Sequence, residues 1–125
     1  NVTKTGLIYF PMPPGMNHAW VSAYFVQKQG HAGVSLTFTK GELGDRLFNA
    51  LLNEREKIDQ ELGFTPEWKD GGDGGKHWVS TSREYGKGKA KAPEIRDEIK
   101  EFMADALNRY VNAFRPRLKR LTDKD

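Results

Sequence analysis

Residues 18–39 read HAWVSAYFVQKQGHAGVSLTFT, and this stretch decides the fold class. It contains two runs rich in β-branched and aromatic residues, His18 to Gln27 and Gly33 to Thr39, which are separated by a break around Gly30. In the second run apolar residues alternate strictly with serine and threonine. A period of two is the signature of a strand with one buried face. The stretch therefore predicts an antiparallel hairpin.

Further strand signals lie on both sides of this hairpin. Residues 6–10 predict a first strand, which the proline-rich segment PMPPG at 11–15 brings to an end. Residues 65–68 and 76–83 predict a short and a longer strand, joined by the glycine-rich turn DGGDGG at 70–75. We therefore expect an antiparallel sheet of four to five strands.

Between these strand signals, one amphipathic helix is predicted from about residue 40 to Gly63. Thr39 and Glu42 have the spacing of a capping box, and a glycine is a favourable helix end. Apolar residues recur at helical spacing through this segment. They are Leu43, Leu47, Leu51, Ile58 and Leu62.

A second, longer helix is predicted near the C-terminus. Pro93 suits a first helical turn, and one apolar stripe runs from Ile95 to Phe114. Pro116 predicts a kink or stop, although Leu118 and later apolar residues could prolong the helix. The element order is then β-β-β-α-(β)-β-α, and both helices must bury their stripes on one sheet face. This order predicts a two-layer α+β fold.

The chain of 125 residues suits a single domain, expected over residues 1–121 with a frayed tail at 122–125. With no cysteine, a disulfide framework, thiol catalysis and thiolate metal sites are excluded. No apolar run approaches the ~18 residues of a membrane span, and the first residues lack a signal-peptide pattern. We therefore expect a soluble, cytoplasmic protein without a membrane partner.

The formal net charge of +3 conceals two basic clusters that flank the last helix. Such clusters can attract a phosphate backbone, although a solvated surface is the simpler interpretation. Residues 86–91 also directly precede a helix N-terminus, which leaves weak anion binding as a further alternative. The candidate nucleic-acid-binding bases are Lys87, Lys89, Lys91, Arg115, Arg117, Lys119 and Arg120.

The aromatic strand suggests a second candidate surface. If the helices cover the side of Val21 and Ala23, then Trp20, Tyr24 and Trp78 stand on the open face of the sheet. Aromatic side chains on a sheet can stack nucleobases, as they do in readers of single strands and RNA. The alternatives are that the phase is reversed, or that the first loop or another domain covers this face.

No catalytic residue, metal site or cofactor is predicted. The triplet Glu67-Trp-Lys69, with Asp45 or Asp59, has the residue types of a metal-dependent nuclease, but those acids belong to a helix rather than to neighbouring strands. Trp68 is instead expected to close the core edge. The histidines lack metal-ligand spacing and are expected at the surface near strand ends. They are His18, His31 and His77.

Several segments in order carry a family resemblance. They are the hairpin at 19–38, the helix end EREKIDQELG at 54–63, Trp68 in PEWK, and the segment 102–118 with FRPRL at 114–118. Over most of its length the chain resembles the domain-of-unknown-function family numbered 4268. Members of that family often lie at the C-terminus of bacterial or archaeal proteins, behind nuclease-like or other DNA-linked segments. The resemblance implies an accessory domain and brings no established catalytic residues.

Together, the basic clusters and the resemblance predict a non-catalytic accessory domain of a DNA-associated, nuclease- or defence-like protein. Its expected partners are DNA or RNA and an N-terminal nuclease-like domain of the same full-length protein. The first alternative is a protein-interaction or dimerisation module that binds no nucleic acid, and a small-molecule enzyme ranks third. The sequence leaves the oligomeric state open.

Overall fold

The computed structural model describes residues 7–11, 18–26, 30–86 and 93–123. Within these residues, five strands form one antiparallel sheet in the order β1-β2-β3-β5-β4, with three helices. The predicted two-layer α+β class is therefore confirmed. The elements are β1 (Leu7–Pro11), β2 (Ala19–Val26), β3 (His31–Phe38), α1 (Glu42–Leu52), α2 (Arg55–Leu62), β4 (Glu67–Lys69), β5 (Trp78–Glu84) and α3 (Pro93–Asp123).

One face of the sheet forms the main core with all three helices. Alternate residues of β2 and β3 are buried on this face, as the period of two predicted. Val79 of β5 joins them, and α1, α2 and α3 contribute apolar side chains from above. The fully buried residues include Val21, Leu36, Phe48, Ile58, Tyr110 and Phe114.

The single helix predicted over 40–63 is in fact two helices. α1 ends at Leu52, and α2 starts at Arg55. At the junction the amide of Glu54 donates to the carbonyl of Leu51, which tightens the chain before the next helix. The break lets Ile58 and Leu62 of α2 reach the same core as α1.

The predicted capping box is also wrong. Gly41, not Thr39, is the N-cap of α1, and no side chain in the described part of the chain caps this helix. A Cβ atom on residue 44 would stand only 1.7 Å from the backbone carbonyl oxygen of Thr39, which is a steric clash. Because the first turn of α1 presses on the end of β3, glycine is required at position 44.

The last helix is longer than predicted, because α3 continues through Pro116 to Asp123. Proline removes one amide and frees carbonyls in the preceding turn. The guanidinium of Arg117 donates to the carbonyl of Ala113 at 2.7 Å, which supplies a partner in that turn. Leu118 beyond the proline is buried in the main core and provides the packing that holds the last turns.

The expected frayed tail also differs from the structure at its first residue. Thr122 is buried, and its hydroxyl donates to the carbonyl of Leu118 at 2.8 Å. The folded unit therefore reaches at least to this residue, whereas residues 124–125 lie outside the described residues. Among the helices described, none combines the length and the hydrophobicity that crossing a membrane requires.

Candidate nucleic-acid interface

The face of the sheet opposite the helices carries the three aromatic side chains predicted for it. Ala19, Val21 and Ala23 of β2 are buried in the main core, which leaves Trp20 and Tyr24 on the other side. Trp78 of β5 shares that side, because Val79 next to it is in the core. The structure therefore brings Trp20, Tyr24 and Trp78 onto one surface, called here the aromatic face.

Backbone register arranges the aromatic face in rows across β2, β3 and β5. Trp20 and Trp78 both pair with Thr37, one from each side, which places their Cα atoms about 10 Å apart. Thr37 is only 7% exposed between these two indoles. The next row, two residues along each strand, consists of Ser22, Ser35 and Ser80.

Tyr24 occupies the third row and lies across β3. A Cβ on Gly33 would stand 2.4 Å from the Tyr24 hydroxyl oxygen, so glycine provides the space for this ring. The Tyr24 ring also lies 5.6 Å from that of His31, centroid to centroid. Burial raises the pKa of the Tyr24 hydroxyl, which therefore remains protonated at neutral pH. The ring is thus a fixed, neutral part of the aromatic face.

A shallow groove of about 240 Å³ runs over the centre of this face. Its lining is Tyr24, Ser35, Thr37, Lys76, Trp78 and Ser80. Among the residues that the structure describes, the serine hydroxyls and the ammonium of Lys76 have no hydrogen-bond or ion-pair partner. The groove therefore offers aromatic surface, free hydroxyls and a positive charge to a ligand.

Two bases of the C-terminal cluster, Arg117 and Arg120, form ion pairs within the protein. The guanidinium of Arg117 donates to both Glu54 and Glu61, and Arg120 donates to Glu54 at 2.7 Å. Desolvation alone would raise the pKa of Glu54, but the bonds from Arg120 and Arg117 outweigh it and hold that pKa below its ordinary value. These ion pairs tie the end of α3 to the α1–α2 junction and to α2.

The other predicted bases have mixed positions. Arg115 is half-buried and its Nε has no hydrogen-bond partner among the described residues, whereas Lys119 is exposed. Lys87, Lys89 and Lys91 lie outside the described residues. Two of the four C-terminal bases therefore carry charges that nearby carboxylates already neutralise.

His77 is buried rather than at the surface, so the prediction for this histidine is wrong. Its ring stacks on Phe48 of α1 at a centroid distance of 4.6 Å. Its Nδ1 accepts the amide of Gly71 at 3.0 Å, so its Nε2 carries the proton donated to Asp45 at 2.6 Å. Asp45 also accepts the amide of Gly74 at 2.7 Å. We call His77 and Asp45 the loop clamp, because together they fasten the β4–β5 loop to α1.

The loop clamp and the loop itself leave no metal or phosphate cradle here. The amides of Gly71, Gly72, Gly74 and Gly75 each donate to an acceptor inside the protein. Within residues 7–11, 18–26, 30–86 and 93–123, no group of three or more metal-ligating side chains is found. The segment 70–75 is the turn that the sequence predicted.

The triplet at Glu67 to Lys69 takes the structural role expected for it. Trp68 packs against the main core, and its indole nitrogen donates to Asp59 at 3.1 Å. Glu67 and Lys69 are exposed on the opposite side of β4. Lys69 pairs in register with Trp78 and so extends the row of indoles with a positive charge.

The loop clamp gives a prediction for stability against pH. The bond from His77, with that from Gly74, lowers the pKa of Asp45 from its ordinary 3.8. A carboxyl whose pKa is lower in the folded state stabilises the fold above its unfolded pKa and loses that contribution as pH falls. Asp45→Asn should therefore be less stable than the natural protein at pH 7, and the difference should shrink below about pH 4.

Urea unfolding of both proteins at pH 7 and pH 3 measures this difference. Comparing the two proteins cancels the titration of Glu54 and Glu61, which both share. An equal difference at the two pH values would show that ionised Asp45 contributes nothing through the clamp.

Sequence reasoning missed the loop clamp, the free serines and Lys76. A signal for His77 was present, because it has the same strand parity as Val79 and must point to the core. The row of serines required the register of three strands, which the sequence does not contain. No sequence pattern marks Lys76, which is assigned to the site only because it lines the groove.

Comparison with known proteins adds no relative. No protein-family model, curated protein sequence or solved structure matches the chain. The resemblance to the domain-of-unknown-function family numbered 4268 therefore stays a prediction, and the site must be judged on its own chemistry.

Proposed function

We propose that this chain is an accessory domain, without a catalytic role, that binds single-stranded nucleic acid on its aromatic face. The observation that carries the proposal is that Trp20, Tyr24 and Trp78 share the side of the sheet that the helices leave open, where Tyr24 and Trp78 line one groove. The proposed setting, from the resemblance, is a DNA-associated protein with a nuclease-like segment.

The chemistry of the aromatic face suits a single strand. Unpaired bases expose flat apolar surfaces that stack on aromatic side chains, and each such stack contributes about 1 to 3 kcal/mol. Lys69 and Lys76 stand near Trp78 and can contact the phosphates that link stacked bases. A duplex hides its bases, so this face would offer a duplex little more than two charges.

The ion pairs of the C-terminal cluster favour the aromatic face over that cluster. A phosphate approaching Arg117 or Arg120 would have to compete with Glu54 and Glu61, which already hold these guanidinium groups. Binding to the aromatic face would depend only weakly on salt. If two lysines contact phosphates, the logarithm of the binding constant should fall with the logarithm of the salt concentration with a slope of about −1 to −2. Binding through both basic clusters would give a steeper slope.

Tryptophan fluorescence tests the proposal directly. The chain has three tryptophans, and Trp68→Phe removes the one on the core side, leaving Trp20 and Trp78 on the aromatic face. A uridine or deoxyuridine hexanucleotide should quench the remaining fluorescence. In this background Trp78→Ala should weaken binding about 5- to 150-fold, the equivalent of one lost stack.

Two comparisons separate the possible outcomes. Lys119→Ala, a change of an exposed base at the far end of α3, should leave the affinity for the hexanucleotide unchanged. If a 12-base-pair duplex bound as tightly as the single strand, and its affinity fell steeply with salt, the basic clusters rather than the aromatic face would be the interface. Binding to neither at low salt would favour the protein-interaction alternative.

A further inference from the structure

The row of serines on the aromatic face has no structural explanation in the part of the chain described. Ser22, Ser35 and Ser80 stand side by side in register on three neighbouring strands, and we call them the serine row. All three are half-buried. Their hydroxyls contact no described hydrogen-bond partner, although β-branched residues would suit these strand positions equally well.

The serine row lies beside the row of indoles. Two residues along a strand separate the rows, a distance of about 7 Å, and neighbouring strands are about 4.8 Å apart. A base stacked on Trp20 or Trp78 would therefore have its sugar directed over either the serine row or the opposite end of the sheet. Tyr24, one row beyond the serines, provides a second stacking surface for a neighbouring base. A strand that uses both aromatic rows must pass its sugars over the serines.

Charge on this face also favours a sugar at the serine row. Lys69 and Lys76 stand at the indole end, where they suit phosphates. Glu67 pairs in register with Ser80 and places a carboxylate at the β4 end of the serine row. A phosphate is disfavoured beside that carboxylate, whereas a neutral hydroxyl is not.

We propose that the serine row makes the aromatic face selective for single-stranded RNA over DNA, by hydrogen bonding to ribose 2′-hydroxyl groups. This inference rests on the proposed function. A serine hydroxyl can donate and accept, and the 2′-hydroxyl can do the same, so each satisfies the other. Deoxyribose has no 2′-hydroxyl, so bound DNA forms no hydrogen bond with the serines and leaves their hydroxyls without a partner.

The test compares a uridine hexamer with a deoxyuridine hexamer, which differ only at the 2′ position. Both are titrated into the Trp68→Phe protein at one salt concentration. RNA should bind at least tenfold more tightly. Ser35→Ala and Ser80→Ala should each weaken RNA binding about two- to tenfold, the range for one net hydrogen bond, and should leave DNA binding unchanged.

A control is Asn108→Ala, which changes an exposed polar side chain of α3 on the helix side of the sheet, away from the aromatic face. It should preserve the preference for RNA, and circular dichroism of each variant verifies the fold. Equal binding of the two hexamers with quenching intact would overturn the inference but not the proposed function. A preference that survives both serine variants would also overturn the inference. Failure of both hexamers to bind would overturn the two proposals together.

Discussion

Phe114→Ala should lower the free energy of unfolding by about 3 to 5 kcal/mol, the largest effect expected of any substitution considered. Phe114 is 0% exposed and contacts Tyr110 and Trp68 through edge-to-face ring packing, with centroids 5.3 and 6.1 Å apart. Truncation would remove both ring contacts and open a cavity where α3 meets the edge of the sheet. Urea unfolding monitored by circular dichroism measures the change.

The matched control lies on the same helix, a little over three turns earlier. Phe102 is only partly buried. The guanidinium carbon of Arg83 lies over its ring, 4.8 Å from the ring centroid. Phe102→Ala should cost clearly less than Phe114→Ala. Leu51→Ala, at a fully buried position of α1, should lower the free energy of unfolding by about 2 to 5 kcal/mol. Equal losses at 102 and 114 would mean that the two halves of α3 are packed alike, contrary to the structure.

The strands were predictable because burial of one face imposes a period of two on the residues themselves. The alternation at Val34, Leu36 and Phe38 therefore gave β3, and the same parity placed Trp20 and Tyr24 on the outer face. The helix ends were not predictable in this way. The break after Leu52 and the continuation past Pro116 depend on contacts with distant residues, the shared core of α1 and α2 in one case and Leu118 in the other.

The same distinction separates the predictable from the unpredictable residues of the candidate site. Its aromatic residues were predictable because each lies on a strand whose phase the sequence reveals. The engagement of Arg117 by Glu54 and Glu61 was not, because 63 and 56 residues separate the partners and only the fold brings them together. Basic clusters look alike in sequence whether their charges are free or neutralised by neighbours. Pairing across elements decides the difference.

His77→Ala should lower the free energy of unfolding by about 2 to 4 kcal/mol, which is unusual for a residue at the end of a surface loop. The substitution removes a ring stacked on Phe48 and leaves the amide of Gly71 and the carboxylate of Asp45 without their partner. Both losses act on the segment that presents Lys76 and Trp78 to the aromatic face. Hexanucleotide affinity should therefore fall together with stability.

A second variant separates stacking from hydrogen bonding. His77→Phe retains an aromatic ring against Phe48 but can neither accept from Gly71 nor donate to Asp45, so it should recover part of the loss caused by alanine. His18→Ala, at a half-buried histidine whose side chain has no hydrogen-bond partner among the described residues, should change stability by no more than about 0.5 kcal/mol. If His77→Phe proved as stable as the natural protein, the loop clamp would contribute nothing beyond packing. The β4–β5 loop would then owe its position to its own turn and to the β5 strand alone.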